Sequence, residues 1–167
     1  MSLTRLNELP PPDASQEFLK CCGSKRWAEA MIERRPFASV EDLTQAASDV
    51  WQSLKPDDWL EAFRSHPKIG EKKAAEAVST QSQQWSGQEQ SGMSRAGDDT
   101  IEALSQLNRE YEEKFGYIFI VCATGKSADE MLALLRQRLP NDPDTELPIA
   151  AAEQAKITEL RLKKLIN

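Results

Sequence analysis

The stretch Ser65–Gly70, with the sequence SHPKIG, contains the only histidine of the 167-residue chain, His66. An apolar helical pattern leads into this histidine, and Pro67 disfavours helical geometry at the residue before it and stiffens the turn. Gly70 permits another group to approach closely. An imidazole titrates near neutral pH, so a ring held at a fixed angle suits general acid–base chemistry. The alternative is a polar surface residue at a helix C-terminus, where the helix dipole favours it.

A second polar cluster consists of Ser86, Gly87, Gln88, Glu89 and Gln90, with the sequence SGQEQ. At neutral pH the carboxylate of Glu89 only accepts hydrogen bonds, whereas the amide of Gln90 both donates and accepts. Such a pair matches the edge of a ureide or an imide, along which N–H and C=O groups alternate. Ser86 and Glu89 also have the spacing of a helix capping box, which is a sufficient structural explanation.

Arg161 lies in the basic helical segment ITELRLKKL near the end of the chain. If its side chain is buried, the planar guanidinium could hold a substrate carboxylate through two parallel hydrogen bonds. An arginine on an exposed helix face is the alternative, and the sequence alone favours it.

Composition and charge argue against several classes of function. The chain has 21 Lys and Arg against 27 Asp and Glu, a net charge of −6, which disfavours binding to a phosphate backbone. No apolar run reaches the length of a membrane span, and the N-terminus has no signal-peptide core. One histidine and three cysteines disfavour a zinc site. Cys21, Cys22 and Cys122 are a poor disulfide framework, so we expect a reducing cytoplasm. The GKS of ATGKSAD is not a P-loop, because Ile120 stands where the first glycine belongs.

Helical patterns dominate the rest of the chain. Capping residues, apolar spacings of three and four, and stop signals predict helices over about residues 13–22, 25–35, 40–54, 57–66, 71–80, 98–115, 128–139 and 146–166. Residues 81–99 are rich in Gln, Ser and Gly, which is typical of a flexible linker. The apolar run 117–123 fits either a buried extended segment or a helix. With at most one strand, these patterns predict an all-α, single-domain bundle of about eight helices over residues 1–167.

Four motifs in this order, HPKIG, SGQEQ, LNREYEEKFGYIFIVCA and ITELRLKKL, resemble those of one family. It is the 2-oxo-4-hydroxy-4-carboxy-5-ureidoimidazoline (OHCU) decarboxylase family of purine and urate catabolism. The similarity runs from about Leu6 to Leu165. It implies a helical bundle particular to this family, a homodimer, and a lyase that needs neither a metal nor an organic cofactor.

The resemblance also implies which residues form the site. His66 matches the catalytic histidine of the family, and we expect Glu89 to orient the ring or to stabilise its charge. Arg161 matches an arginine that points into the same pocket. The remaining substrate-contacting positions are Pro67, Ser86, Gly87, Gln88, Glu89, Gln90, Phe119, Ile120, Val121, Cys122 and Ala123.

The implied reaction releases CO2 from a ring carbon that lies beside a C=N bond and gives (S)-allantoin. Because the C=N bond accepts the electron pair, the substrate supplies its own electron sink. The protein then has to position the substrate, stabilise developing charge and deliver a proton to one face. We assign the proton transfer to His66 and regard Cys122 as part of the lining. The alternatives are a non-enzymatic helical interaction module and a family member that acts on a related ureide or imide.

Overall fold

The computed structural model describes residues 1–67, 80–89 and 97–167. Within these residues the chain forms nine α-helices and no β-strand, which confirms the all-α class. The helices are α1 (Leu3–Glu8), α2 (Pro11–Cys21), α3 (Lys25–Glu33), α4 (Val40–Ser53), α5 (Pro56–Arg64), α6 (Thr80–Glu89), α7 (Asp98–Phe115), α8 (Ala128–Arg138) and α9 (Pro143–Leu165). No helix in the described ranges is long and apolar enough to cross a lipid bilayer.

The chain divides into two compact units, of which the first comprises Met1–Ala62 and Ala155–Asn167. Trp27 of α3 lies fully buried in its core. The indole packs edge-on against Phe18, with 5.8 Å between ring centroids, and its N–H donates to the carbonyl of Ala47 over 3.2 Å. That bond satisfies the one polar group of a large apolar side chain, as burial of an indole requires. The prediction of one domain over residues 1–167 stays a prediction.

The second unit comprises Phe63–Gln154 and contains a buried charged cluster beside its aromatic core. Tyr111 of α7 packs against Phe119, with 5.4 Å between ring centroids, and its hydroxyl donates to the carboxylate of Glu146. Burial and this bond to Glu146 raise the pKa of Tyr111, which keeps its hydroxyl protonated. Arg138 of α8 donates to the same carboxylate through Nε at 2.9 Å and Nη2 at 2.6 Å.

Serine caps fix where several helices begin. The hydroxyl of Ser39 accepts from the backbone N–H of Asp42 at the start of α4, over 3.1 Å. The hydroxyl of Ser127 accepts from the N–H of Glu130 at 3.1 Å and donates to its carboxylate at 3.3 Å, and it thereby caps α8. Each such cap stabilises a helix by about 1 kcal/mol, because it pairs a backbone donor that the first turn leaves over.

A non-helical segment of the second unit connects α7 to α8. Gly116 ends α7 with φ at +83°, a left-handed conformation that glycine adopts without steric cost, and its N–H donates to the carbonyl of Glu112 over 2.8 Å. Residues 117–123 are not helical, which excludes one of the two interpretations left open by the sequence. Gly125, with φ at +76°, turns the chain toward α8.

The linker predicted for residues 81–99 is wrong where the chain forms α6. Hydrophobic periodicity does not reveal this helix, because three of the four side chains that it buries are polar. The buried residues of α6 are Ser82, Trp85, Ser86 and Glu89. The helix predicted for residues 71–80 lies outside the described residues except for its last position.

Several helix boundaries also differ from the prediction. The helix before the histidine ends at Arg64 instead of His66, and α9 begins at Pro143 instead of about residue 146. Helix α1, of six residues, was not predicted; the hydroxyl of Ser2 accepts from the N–H of Arg5 in its first turn. Helix ends and single-turn helices carry too few residues for periodicity to show them.

Candidate active site

His66 lies in the turn that follows α5. Its backbone N–H donates to the carbonyl of Phe63 over 3.2 Å, and both His66 and Pro67 are buried. The imidazole is 7% exposed, and its Nε2 lies 2.6 Å from Oε1 of Gln154 on α9. The interpretation of His66 as a surface residue at a helix end is therefore wrong, because its ring is inside the second unit and bonded to a buried amide.

Helix α6 presents a polar buried face and an exposed face. Ser86 and Glu89 are 6% and 8% exposed, whereas Gly87 and Gln88, which lie between them, are exposed. Ser86 lies inside the helix and Glu89 is its last residue, so the two do not form a capping box at a helix start. Gln90 lies outside the described residues. One face of α6 therefore buries a serine hydroxyl and a carboxylate, polar groups that a face used only for apolar packing would not contain.

The segment Phe119–Ala123 is buried along its whole length. Arg138 anchors it from α8: Nη1 donates to the carbonyl of Ile120 at 2.6 Å, and the guanidinium carbon lies 4.6 Å from the centroid of the Phe119 ring. The same guanidinium carries the ion pair to Glu146. The charged cluster of the second unit therefore holds the position of this non-helical backbone.

Cys122 bonds this segment to α9 and feels the charge of Glu89 on α6. Its N–H donates to Oε1 of Glu153 at 3.2 Å, and its carbonyl accepts from Nζ of Lys126 at 2.6 Å. Burial raises the pKa of the Cys122 thiol; Glu153 and Glu89 act in the same direction, and Lys126 and a backbone bond from Thr124 oppose them. Glu89 thus lies within electrostatic range of Cys122, and the thiol stays protonated at neutral pH. A protonated thiol is a poor nucleophile, which agrees with a lining role.

Arg161 belongs to the first unit. Its side chain is 3% exposed, and Nη1 lies 3.4 Å from the carbonyl of Lys20, to which it donates. Burial raises the pKa of the Cys22 thiol to about 12, and the positive charge of Arg161 opposes this shift. The interpretation of Arg161 as a solvated surface residue is wrong. Its predicted contact with the substrate stays a prediction.

Sequence reasoning missed two buried residues of α9, Glu153 and Gln154. Gln154 is 0% exposed and contacts the imidazole, and Glu153 is 9% exposed and accepts from the backbone of Cys122. A signal for Gln154 was present, because positions three and four residues before it are Ala151 and Ala150, which share its helix face and are buried. A long polar side chain on an apolar helix face is a reason to look for a buried polar partner.

These residues define a class of protein: an all-α chain with a buried imidazole, a buried carboxylate and an anchored non-helical backbone in one unit. That composition suits proton transfer on a small polar molecule. Among the residues that the structure describes, no group of three or more His, Cys, Asp or Glu side chains is placed to hold a metal ion.

Comparison with known proteins identifies the family. The family model described as OHCU decarboxylase matches residues 7–163, and the chain belongs to this family. It is 38% identical over 152 residues to the uric acid degradation bifunctional protein TTL of Arabidopsis thaliana. The aligned region covers 90% of this chain and 47% of that protein. It is 30% identical over 140 residues to the OHCU decarboxylase of Amia calva, covering 84% and 79% of the two chains. The chain therefore spans about half of the bifunctional relative and most of the single-function one.

Solved structures have the same fold. A crystal structure of OHCU decarboxylase in the presence of (S)-allantoin is similar with a TM-score of 0.77 and 38% identity, over 90% of this chain and 96% of that one. A crystal structure of (S)-allantoin synthase, at 19% identity, matches with a TM-score of 0.75 over 99% and 54% of the chains. The second similarity concerns the fold alone.

Proposed function

We propose that this protein is a carboxy-lyase that converts OHCU to (S)-allantoin and CO2 in urate degradation. Membership of the OHCU decarboxylase family supports this substrate. The observation that carries the proposal is the buried imidazole of His66, held by Gln154 in the turn after α5. Among the described residues of the site, a buried, oriented imidazole is the group whose proton affinity suits acid and base steps near neutral pH.

The reaction requires no electron sink from the protein. The bond from the ring carbon to the carboxylate breaks, and its electron pair forms a carbon–carbon double bond while the π pair of the adjacent C=N moves onto nitrogen. The hydroxyl on the first carbon then becomes a carbonyl, and the second carbon receives a proton on one face. One proton is consumed overall for each CO2 released, so the protein has to orient the substrate and move protons.

We assign the proton transfers to His66, which accepts the hydroxyl proton of the substrate and returns a proton to carbon. The carboxylate of Glu89 accepts from the ureido N–H groups and, in this proposal, orients the imidazole ring. Ser86, on the same buried face of α6, adds a hydroxyl that both donates and accepts. Gln90 completes the polar edge in this proposal, and the exposed pair of Gly87 and Gln88 contributes through its backbone.

We assign the wall of the proposed site to the segment Phe119–Ala123 and to Pro67. Ile120 and Cys122 are two positions apart, and each forms a hydrogen bond between its backbone and a side chain of the protein. In an extended chain the backbone groups of the intervening residue point to the other edge, so we assign the N–H and C=O of Val121 to the ring edge of the substrate. We assign a substrate carboxylate or carbonyl to Arg161, as the resemblance to the family implies.

We further propose a homodimer that needs no cofactor and works in a reducing cytoplasm. All three cysteines lie in the described residues as buried thiols, which agrees with a reducing compartment. Light scattering coupled to gel filtration measures the mass of the assembly, and a homodimer should have twice the 18.8 kDa of one chain. Turnover that is unchanged after dialysis against EDTA supports metal independence, and loss of turnover that a divalent metal restores contradicts it.

The decisive experiment generates OHCU freshly from urate with urate oxidase and hydroxyisourate hydrolase and follows (S)-allantoin by circular dichroism. The wild type is expected to accelerate the reaction and to give one enantiomer. His66→Asn should lower kcat by about 10²–10⁴, the usual contribution of a general acid–base group. Far-UV circular dichroism and a thermal melt confirm that the variant is folded.

A matched pair of carboxylate variants tests Glu89. Glu89→Gln should weaken binding and slow turnover, whereas Glu102→Gln removes an exposed carboxylate of α7 and should leave both constants unchanged. A wild type that leaves the slow racemic background untouched would refute the enzymatic function and favour an interaction module. Full activity in His66→Asn would remove the histidine from the mechanism.

A further inference from the structure

The partner of His66 is an uncharged side chain buried beside it. Gln154 is 0% exposed, and its Oε1 lies 2.6 Å from Nε2 of the imidazole, 88 residues away along the chain. An amide oxygen has no proton to give, so a hydrogen bond between these two atoms requires the proton on Nε2. In a neutral ring the other nitrogen, Nδ1, then carries the lone pair.

We propose that Gln154 is a positioning residue that fixes His66 in the Nε2–H tautomer, so that the ring exchanges protons with the substrate through Nδ1. The kinetic part of this inference rests on the proposed decarboxylation, whereas the tautomer itself does not. No role of this kind follows from the sequence motifs, because Gln154 lies between SGQEQ and ITELRLKKL and belongs to neither.

A neutral partner suits a ring that has to work in both directions. A carboxylate at this position would favour the imidazolium and make it a weaker acid, whereas an amide oxygen orients the ring without adding charge. The helix provides a second anchor one residue earlier, where Glu153 holds the backbone of Cys122. Two adjacent residues of α9 therefore position both the imidazole and the wall of the site.

Other ionisable groups of the second unit lie around Cys122 and stay constant between the variants below. They are Glu89 on α6, Lys126 in the segment before α8 and Glu153 on α9, each of which acts on the Cys122 thiol. A change in the titration of His66 that appears only on substitution of Gln154 is therefore attributable to that residue.

The single histidine makes the test direct. In protein labelled with ¹⁵N-histidine, a long-range ¹H–¹⁵N correlation spectrum contains one imidazole, so it needs no assignment. Above the pKa of the ring, the expected pattern is a protonated Nε2 and an unprotonated Nδ1. A protonated Nδ1 in the wild type would overturn the inference, and this measurement requires no variant and no turnover.

Two substitutions test the role of the amide, and a third serves as a control. Gln154→Glu places a carboxylate beside the ring and should raise the pKa of His66 by about one unit or more, measured in the same spectrum. Gln154→Met keeps the length of the side chain, removes the acceptor, and should lower kcat by about 10- to 100-fold with KM changed less than threefold. Gln137→Glu makes the same chemical change at an exposed position of α8 and should alter none of these values.

The outcomes separate this inference from the proposed function. A wild type with no effect on OHCU refutes the function, yet the tautomer and the pKa shift still decide the inference. An active wild type whose Gln154→Met variant keeps its tautomer and its kcat refutes the positioning role. A purely structural role for Gln154 would lower the melting temperature of both Gln154 variants and leave the His66 titration in place, which also refutes it.

Discussion

Arg138 provides the strongest test of how the second unit holds its non-helical wall. The guanidinium forms an ion pair with Glu146 at 2.6 Å and donates to the Ile120 carbonyl at the same distance. Substituting Arg138→Met keeps much of the apolar stem and removes every one of these donors. The exposed Arg136 lies two residues earlier on the same helix, so Arg136→Met is a matched control.

The expected cost follows from what the substitution leaves behind. Glu146 is 0% exposed, and in Arg138→Met its carboxylate would keep the hydroxyl of Tyr111 and the amide of Asn141 as donors, with no positive charge from Arg138. Removing one partner of a buried ion pair costs about 3–5 kcal/mol, because the remaining charge is uncompensated. For a chain of this size that corresponds to a fall in Tm of roughly 6–20 °C.

Urea unfolding followed by circular dichroism measures the free energy of unfolding of the wild type, Arg138→Met and Arg136→Met. The control should lie within about 0.5 kcal/mol of the wild type, as exposed substitutions usually do. The double variant Arg138→Met/Glu146→Met removes both charges and should recover about 2 kcal/mol or more of the loss. Release of Ile120 should also raise KM for OHCU.

Two results would refute this reasoning. A loss below about 1 kcal/mol in Arg138→Met would show that the buried carboxylate does not depend on its ion pair. A double variant that is no more stable than Arg138→Met would show that the cost comes from lost packing or from the Ile120 carbonyl instead of the uncompensated charge.

Three further predictions follow from single groups. Burial raises the pKa of the Cys122 thiol, so this thiol is a poor nucleophile and Cys122→Ala should keep kcat within about fivefold. For the same reason iodoacetamide should modify the wild-type Cys122 slowly below pH 9, and rapid modification at pH 7 would contradict this. Ser127→Ala removes the cap of α8 and should cost about 1 kcal/mol in urea unfolding, and no loss would mean that the cap bond is replaced by water. Gly116→Ala, at φ +83°, should cost about 1 kcal/mol through backbone strain, whereas an equally stable variant would place that residue in another conformation.

The sequence was sufficient to predict a helix and its ends wherever that helix buries an apolar stripe and carries its own end signals. The stripe of α7, with Leu104 and Tyr111 buried, and the stop at Gly116 were both predictable for that reason. The cap at Ser127 was equally visible, because the side chain that makes the bond is three residues from the N–H that it accepts. Such features depend on local spacing alone.

The same rules failed for α6, because the side chains that this helix buries are mostly polar and do not form an apolar stripe. It buries two serines, one tryptophan and one carboxylate, so a count of apolar positions finds no helix, and the composition resembles a linker. The motif SGQEQ was recognisable as a candidate site, yet its capping-box explanation was also available. Only the position of Ser86 inside the helix, with Glu89 at its end, separates the two explanations.

Gln154 shows a further limit, since no local pattern connects it to a histidine 88 residues earlier. Two other buried residues of the second unit illustrate why the polar residues of one core differ in kind. Arg138 and Glu146 carry opposite charges that never need to change, and they anchor a backbone segment permanently. In the proposed mechanism His66 gains and loses a proton, so a charged partner would oppose one half of its cycle, and an amide opposes neither half. A glutamine at position 154 therefore suits the proton-transfer role that we propose for the ring beside it.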